Sequence, residues 1–335
     1  MITVPDRVAV TAAAAYLPER VLSDADVVAR IDGSAPLAGT IARATGVTGR
    51  HVAAPDQQAS DLAVAAATKL LADRGLAPAD LDLLIFASAS QDLIEPATAH
   101  ITAHKLGARC PVFDLKNACN SWLNGVEVAA ALVGDGRYRR VLVCTGEVPS
   151  RTVSWTVPDR AAFTAQCAAF TLSDAGGAAL VEPVAGGGIR YRAFAADSTA
   201  WDRATIRAGG TMHGLDPAYA HFRGDGRALK EACERLAYAA FTEALARTDT
   251  RWDDYAAICV HVAAVPHLYE MCERAGIPTD RLVPTLAGHG NTASATLPLQ
   301  LSLALDRGQC GPGDRVALIG LASGISLGIM LQELP

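Results

Sequence analysis

The sequence predicts an α/β protein made of two duplicated halves. Strand-like and helix-like segments alternate along the whole chain, their order recurs once, and the composition suits a large core. Half of the 335 residues are apolar and 19% are charged, which excludes wholesale disorder. At roughly 150 residues per domain, the length fits two domains or one large two-lobed one.

Ser60 is placed to cap a helix, LAVAAATKLLADR, that stops at Gly75. LDLLIFASAS is a continuous apolar run of strand length. PVFDL then reads as a strand, CNSWLNGVEVAAALV as a helix opening just after it, and RRVLVCTGE as another buried strand. The second half repeats this order. ALKEACERLAYAAFTEALAR is a helix with apolar positions at Leu229, Cys233, Leu236 and Ala240, and YAAICVHVAA is a strand. RLVPTLA leads into GHGNTASATLPLQLSLAL, and GPGDRVALIG resembles RRVLVCTG. Matching features lie 172 to 175 positions apart: Cys119 with Asn291, and Arg140 with Arg315. A period this long means a duplicated domain. The seam is expected in AGGGIR near residue 185, giving halves 1–184 and 185–335. The stretch from Val316 to Gln332 is uncharged and nearly long enough to span a bilayer. Its Gly320, Ser323, Gly324, Ser326 and Gly328 favour two buried strands around a turn.

The net charge of -6, with both signs scattered, argues against a nucleic-acid or anionic-membrane partner. The eight cysteines show no C-x-x-C and no zinc-type cluster, and several sit in apolar stretches. With no secretory signal in view, a reducing, cytoplasmic setting is expected.

In open α/β sheets, sites form beyond the carboxyl ends of strands, where helix N-termini converge. Cys119, in DLKNACNSWLNG, and Asn291 stand in strand-to-helix loops of the two halves, and His261 ends the strand AAICVH. Packed about a pseudo-twofold axis, the three could meet. A thiol just before a helix is expected to have a lowered pKa and to act as a nucleophile. The plainer reading is a buried structural cysteine, which suits the other seven. His261 and Asn291 can each donate a hydrogen bond to a thioester carbonyl, and neutral His261 can also take a proton. His267 and His289 compete with His261. His100 and His104 are spaced to bind a metal on a helix, but no third ligand accompanies them, so a solvated face is expected and no metal. GISLG fits a hydrolase elbow but lacks a downstream histidine, and GHGNTA fits a dinucleotide loop but lacks the acid at the next strand's tip.

With Cys119, His261 and Asn291 in this order, the chain resembles the ketosynthase III branch of the thiolase superfamily over nearly its full length. ATGVTGRHVA (44–53) is similar to the family's R-T-G-I-x-x-R-H, and NACNSW to its A-A-C-x-G-F. SDAGGAAL (173–180) resembles G-D-G-A-G-A, and HFRGDGRALK resembles H-M-x-G-x-x-V-F-K. GHGNTASATLPL is similar to H-G-N-T-S-A-A-S, and ASGISLG to G-G-G-x-x-x-G. The resemblance implies the five-layered αβαβα thiolase fold, usually as a homodimer. It implies a cysteine nucleophile, Cys119, acylated by an acyl-CoA or acyl carrier protein thioester that is substrate and not a bound cofactor. His261 and Asn291 would complete the set, and the N–H groups of Cys119 and Gly324 would form the oxyanion hole.

Departures shape the functional expectation. Val262, Ala263, Ala264, Val265 and Pro266 replace the family's Gln-Ala-Asn-x-Arg, and Thr40 and Ala44 stand where CoA-using members tend to carry tryptophan and arginine. The grip on a CoA nucleotide is therefore expected to be thin. Transfer of the acyl group from Cys119 to a hydroxyl or amine of a small natural-product intermediate is the leading expectation. Decarboxylative condensation with malonyl carrier protein is the close alternative, and a non-catalytic partner subunit of the same fold the third.

Overall fold

Alternation along the buried strands sets the architecture. The computed structural model describes residues 7–33, 37 and 39–335. One sheet holds β1 (Val8–Tyr16), β2 (Leu83–Ala87), β3 (Val112–Leu115), β4 (Val141–Glu147) and β5 (Ala175–Pro183), in the order β1-β5-β4-β2-β3. A second large sheet holds β6 (Gly188–Ala196), β7 (Ala257–His261), β8 (Arg315–Ala322) and β9 (Ser326–Glu333), in the order β6-β9-β8-β7. Four positions correspond between the sheets. β2 runs parallel to β4 as β7 does to β8, while β5 and β9 run antiparallel to their neighbours. The repeat is incomplete at β3. RLVPTLA makes a single bridge, Leu282 to Ile258, and Pro284 lacks the N–H to extend a ladder.

Among the described residues, six helices flank the two sheets: α1 (Ala59–Asp73), α2 (Thr98–Leu106), α3 (Ser121–Gly134), α4 (Gly226–Thr248), α5 (Val265–Ala275) and α6 (Thr296–Asp306). Successive strand residues face opposite sides. Leu83, Ile85, Val141 and Val143 from the first sheet, and Cys259, Val316 and Leu318 from the second, meet α3 and α6 in one shared core. Leu84, Phe86, Leu142 and Cys144 face α1 and α2. Ile258, Val260, Ala317 and Ile319 face α4 and α5. Helices, sheet, helices, sheet, helices: this is the five-layered order of the thiolase fold. Trp122 of α3, fully buried in the middle layer, donates its indole N–H to Val143 O of β4 at 3.3 Å.

The uncharged stretch 316–332 forms β8, a turn and β9, as expected, and among the described residues no helix is long and apolar enough to cross a membrane. His100 and His104 both face solvent on α2. Ser60 does not cap α1. The helix starts two residues earlier, with Gln58 as its N-cap and Asp61 accepting from the Gln58 N–H at 2.7 Å. The Ser60 hydroxyl instead donates to Asp92 at 2.5 Å and accepts from Lys105 at 2.7 Å.

α1 lies directly on backbone. A Cβ at Gly176 of β5 would fall 1.9 Å from Leu62 O, and one at Gly146 of β4 would fall 1.8 Å from Ala59 O. Gly176→Ala should therefore force α1 off the sheet and cost at least about 2 kcal/mol in urea unfolding. Gly186→Ala, where the added carbon meets nothing within 4 Å, should stay within about 0.5 kcal/mol of wild type. Equal losses in the two variants would contradict this packing.

Candidate active site

Cys119 lies in the loop between β3 and α3. Ala118 before it has φ 47°, a left-handed conformation that costs a non-glycine residue about 1–3 kcal/mol. The loop entering α6 carries the same feature at Ala293, φ 48°. The two strained alanines are 175 positions apart, as are Arg140 and Arg315. The duplication therefore matches Cys119 with Ser294, and not with Asn291 as the 172-residue spacing suggested.

Hydrogen bonds hold the cysteine loop in this shape. Ser121 Oγ accepts from Asn117 N–H at 2.8 Å and donates to Ala118 O at 2.7 Å. Asn120 Nδ2 donates to Ser326 O and Oγ at 3.1 and 2.9 Å. Gly320 leaves room for it, since a Cβ there would fall 1.9 Å from Asn120 Oδ1. The residue after Cys119 is thus tied to the β8–β9 turn that contains Gly324.

His261 ends β7 and is 2% exposed. Its Nδ1 shares a hydrogen bond of 2.9 Å with Thr296 Oγ1, which in turn lies 3.0 Å from Thr292 Oγ1. Nε2 is the ring nitrogen left for the cavity. Burial pushes the imidazole down to about 4, so it is neutral near pH 7. Asn291 is fixed through its backbone, which donates to Thr171 O at 2.7 Å and accepts from Ser173 N–H at 2.9 Å. Its Oδ1 accepts from Ala293 N–H at 3.0 Å, which leaves the Nδ2 donor available.

Cys119, His261 and Asn291 all line one cavity of about 580 Å³. Gly324, with φ 109°, stands one residue beyond Ser323, which also lines it. Of the competing histidines, His267 lines the cavity from α5. His289 is engaged elsewhere: its Nδ1 lies 3.0 Å from His51 Nε2, and the two rings stack at 5.2 Å. Gly324–Gly328 forms a turn and the start of β9 and not a strand-to-helix elbow.

The thiol differs from expectation. Burial, then the Glu147 carboxylate, then the neighbouring Cys233 push Cys119 up to about 12. The helix that was to lower it begins two residues later, at Ser121. Glu147 closes β4, is fully buried and lines the same cavity. It accepts from Ala89 N–H at 2.8 Å, Ser90 N–H at 3.1 Å, Ser90 Oγ at 2.8 Å and the Ser294 hydroxyl. The sequence reading passed over it, although an acid ending the apolar run RRVLVCTGE was a signal. Lys116 and Arg151 were also missed. Both line the cavity, and Arg151 donates to Gln58 Oε1 at 2.9 Å. Thr40 and Ala44 lie on the short helix Thr40–Thr45, outside the cavity lining, whereas Val262 and Ala263 belong to it.

His261 makes stability depend on pH. Its pKa is about 6.5 unfolded and about 4 folded, so between those values the unfolded chain binds the extra proton. This contribution, about 3 kcal/mol, is complete above pH 6.5 and is lost as pH falls towards 4. Urea unfolding at a series of pH values should show that loss, and His261→Gln should flatten it. A wild-type slope in the variant would contradict a neutral buried imidazole.

Known proteins resemble this chain in sequence and in fold. The 3-oxoacyl-[acyl-carrier-protein] synthase III family model matches residues 113–199, and the model of that family's C-terminal part matches residues 245–334. A β-ketoacyl-[acyl-carrier-protein] synthase III of Rhodobacter capsulatus is 32% identical over 93% of this chain and 94% of its own length. The solved synthase III of Thermus thermophilus is 29% identical, with a TM-score of 0.86 over 98% of this chain and 99% of its own. Xanthomonas campestris OleA, 24% identical with a TM-score of 0.87 over 98% of this chain and 97% of its own, shares the fold. The chain belongs to the 3-oxoacyl-[acyl-carrier-protein] synthase III family, within the thiolase superfamily.

Proposed function

We propose that this chain is a decarboxylative condensing enzyme with a covalent acyl-cysteine intermediate. One observation carries the reading: two neutral hydrogen-bond donors, His261 and Asn291, open on the same cavity as the thiol. Condensation passes through an enolate, and paired donors stabilise its oxygen. The transfer to a hydroxyl or amine expected from the sequence would need His261 as a base. With its pKa pushed to about 4, the imidazole is a poor one for that task. The relatives are also named as synthases. A non-catalytic partner subunit would need none of these groups.

In the first step Cys119 Sγ attacks the carbonyl of an acyl thioester. The new C–S bond forms as the old one breaks, and the thiol proton leaves on the departing CoA or carrier thiol. The N–H groups of Cys119 and Gly324 would hold the transient oxyanion. Lys116 and Arg151 at the cavity support a donor that carries phosphate, such as a phosphopantetheine arm. A malonyl thioester then loses carbon dioxide, and the resulting enolate oxygen accepts from His261 Nε2–H and Asn291 Nδ2–H. Its carbon attacks acyl-Cys119, and collapse releases a β-ketoacyl thioester and a thiolate that regains a proton from solvent. The Nε2–H tautomer requires Thr296 to donate to Nδ1, which the 2.9 Å contact allows. A homodimer through β3 is part of this reading. That edge strand leads into the cysteine loop and leaves Phe113 exposed.

Cys119→Ser should abolish acyl-enzyme formation in intact-mass spectrometry with a panel of acyl thioesters. Label mapped to Cys233 instead would move the nucleophile. Asn291→Ala should accumulate acyl-Cys119 and lose about 10²–10³-fold in condensation. With loaded wild-type enzyme, malonyl carrier protein should release carbon dioxide in step with the β-keto product. An acyl-enzyme that persists with malonyl carrier but discharges to an alcohol or amine would restore the transferase.

A further inference from the structure

The loop that carries Asn291 is held from behind by two histidines. His289 ends the short helix Leu286–His289, and His51 ends the short strand Gly49–His51. Their rings stack with centroids 5.2 Å apart, and His289 Nδ1 lies 3.0 Å from His51 Nε2. Pro18 fixes the direction of that bond. His51 Nδ1 is 2.7 Å from Pro18 O, and a carbonyl can only accept, so Nδ1 carries the proton. In the neutral ring Nε2 is then a lone pair, which accepts from His289 Nδ1–H. Only Gly290 separates this pair from Asn291. Its φ is 71°, and a Cβ there would fall 2.8 Å from Ser173 Cβ, 2.9 Å from Thr171 O and 3.2 Å from Gly49 O. Backbone packed this closely passes a shift at His289 on to Asn291. The same neighbours meet both ends. Thr171 O accepts from the Asn291 N–H, Ser173 N–H donates to Asn291 O, and Ser173 Oγ accepts from His51 N–H at 2.7 Å. The cysteine loop is held by other groups, Ser121 and Ser326. Among the described residues that line the cavity, neither His51 nor His289 appears.

We propose that His51 and His289 are a positioning pair, whose single hydrogen bond sets the aim of the Asn291 amide into the cavity without contact with substrate. The pair acts on the donor that meets the enolate and leaves the thiol alone. The proposal rests on the condensing reading above.

The test separates the ring from the hydrogen bond. His289→Phe keeps a ring and removes the donor, whereas His289→Asn gives up the ring and keeps an N–H near the place of Nδ1. His51→Asn keeps the donor to Pro18 O and removes the acceptor. With chains loaded on Cys119 and supplied with malonyl carrier protein, His289→Phe and His51→Asn should each lower the kcat of condensation about 10- to 100-fold. KM for the malonyl carrier and the rate of acyl loading, followed by intact mass, should be unchanged. The double variant should be no slower than either single one, because each removes the same bond. His289→Asn should restore most of the rate. The Asn291 side-chain amide signals, in chains carrying isotope-labelled asparagine and assigned by their loss in Asn291→Ala, should move in His289→Phe and return in His289→Asn. Wild-type condensation in His289→Phe, loading lost together with condensation, equal losses in His289→Phe and His289→Asn, or additive losses in the double variant overturn the pair. An unsubstituted chain that loads but releases no carbon dioxide overturns the condensing reaction. The amide signals then decide the pair by themselves, and signals that stay in place in His289→Phe overturn it.

Discussion

The buried carboxylate of Glu147 is the constraint on which the site depends. It stands at the carboxyl end of β4, without contact with water, and its stability comes from four donors. Two belong to Ser90 and one to Ala89, just past β2; the fourth is Ser294, in the loop that begins at Asn291 and enters α6. One side chain thus fixes two loops of the first sheet against one of the second. An apolar residue there would orphan several buried donors at once. Burial is the main force that holds the Cys119 thiol protonated, and the Glu147 carboxylate that assembles the site adds to it.

Burial pushes the Cys119 thiol up and the His261 imidazole down, so both groups on this cavity are neutral near pH 7. An imidazole so shifted is better suited to donating a hydrogen bond than to deprotonating an alcohol.

Much of the layered fold was legible in the sequence because buried strands advertise themselves. LDLLIFASAS, RRVLVCTGE, AAICVH and RVALIG are apolar on both faces, as strands between helical layers must be. The residues of the cavity were legible as loop-borne chemistry at strand ends. What escaped was set by tertiary contact. Ser60 looked like a cap but bonds to Asp92 and Lys105 from other parts of the chain. Glu147 looked like the polar end of a strand, because nothing local reveals that Ser294 will reach it. The thiol's acidity failed as an expectation for the same reason: helix proximity is a local signal, and burial is not.

Ala118 and Ala293 bear on how such a site arises. Each half of the chain bends its strand-to-helix loop through the same unfavourable backbone angle, yet one loop presents a thiol and the other a hydroxyl turned to Glu147. The strained bend therefore belongs to the shared fold and not to the Cys119 loop alone. The two loops are alike in backbone shape and unlike in what they present: one turns a thiol to the cavity, the other a hydroxyl that braces the carboxylate behind it.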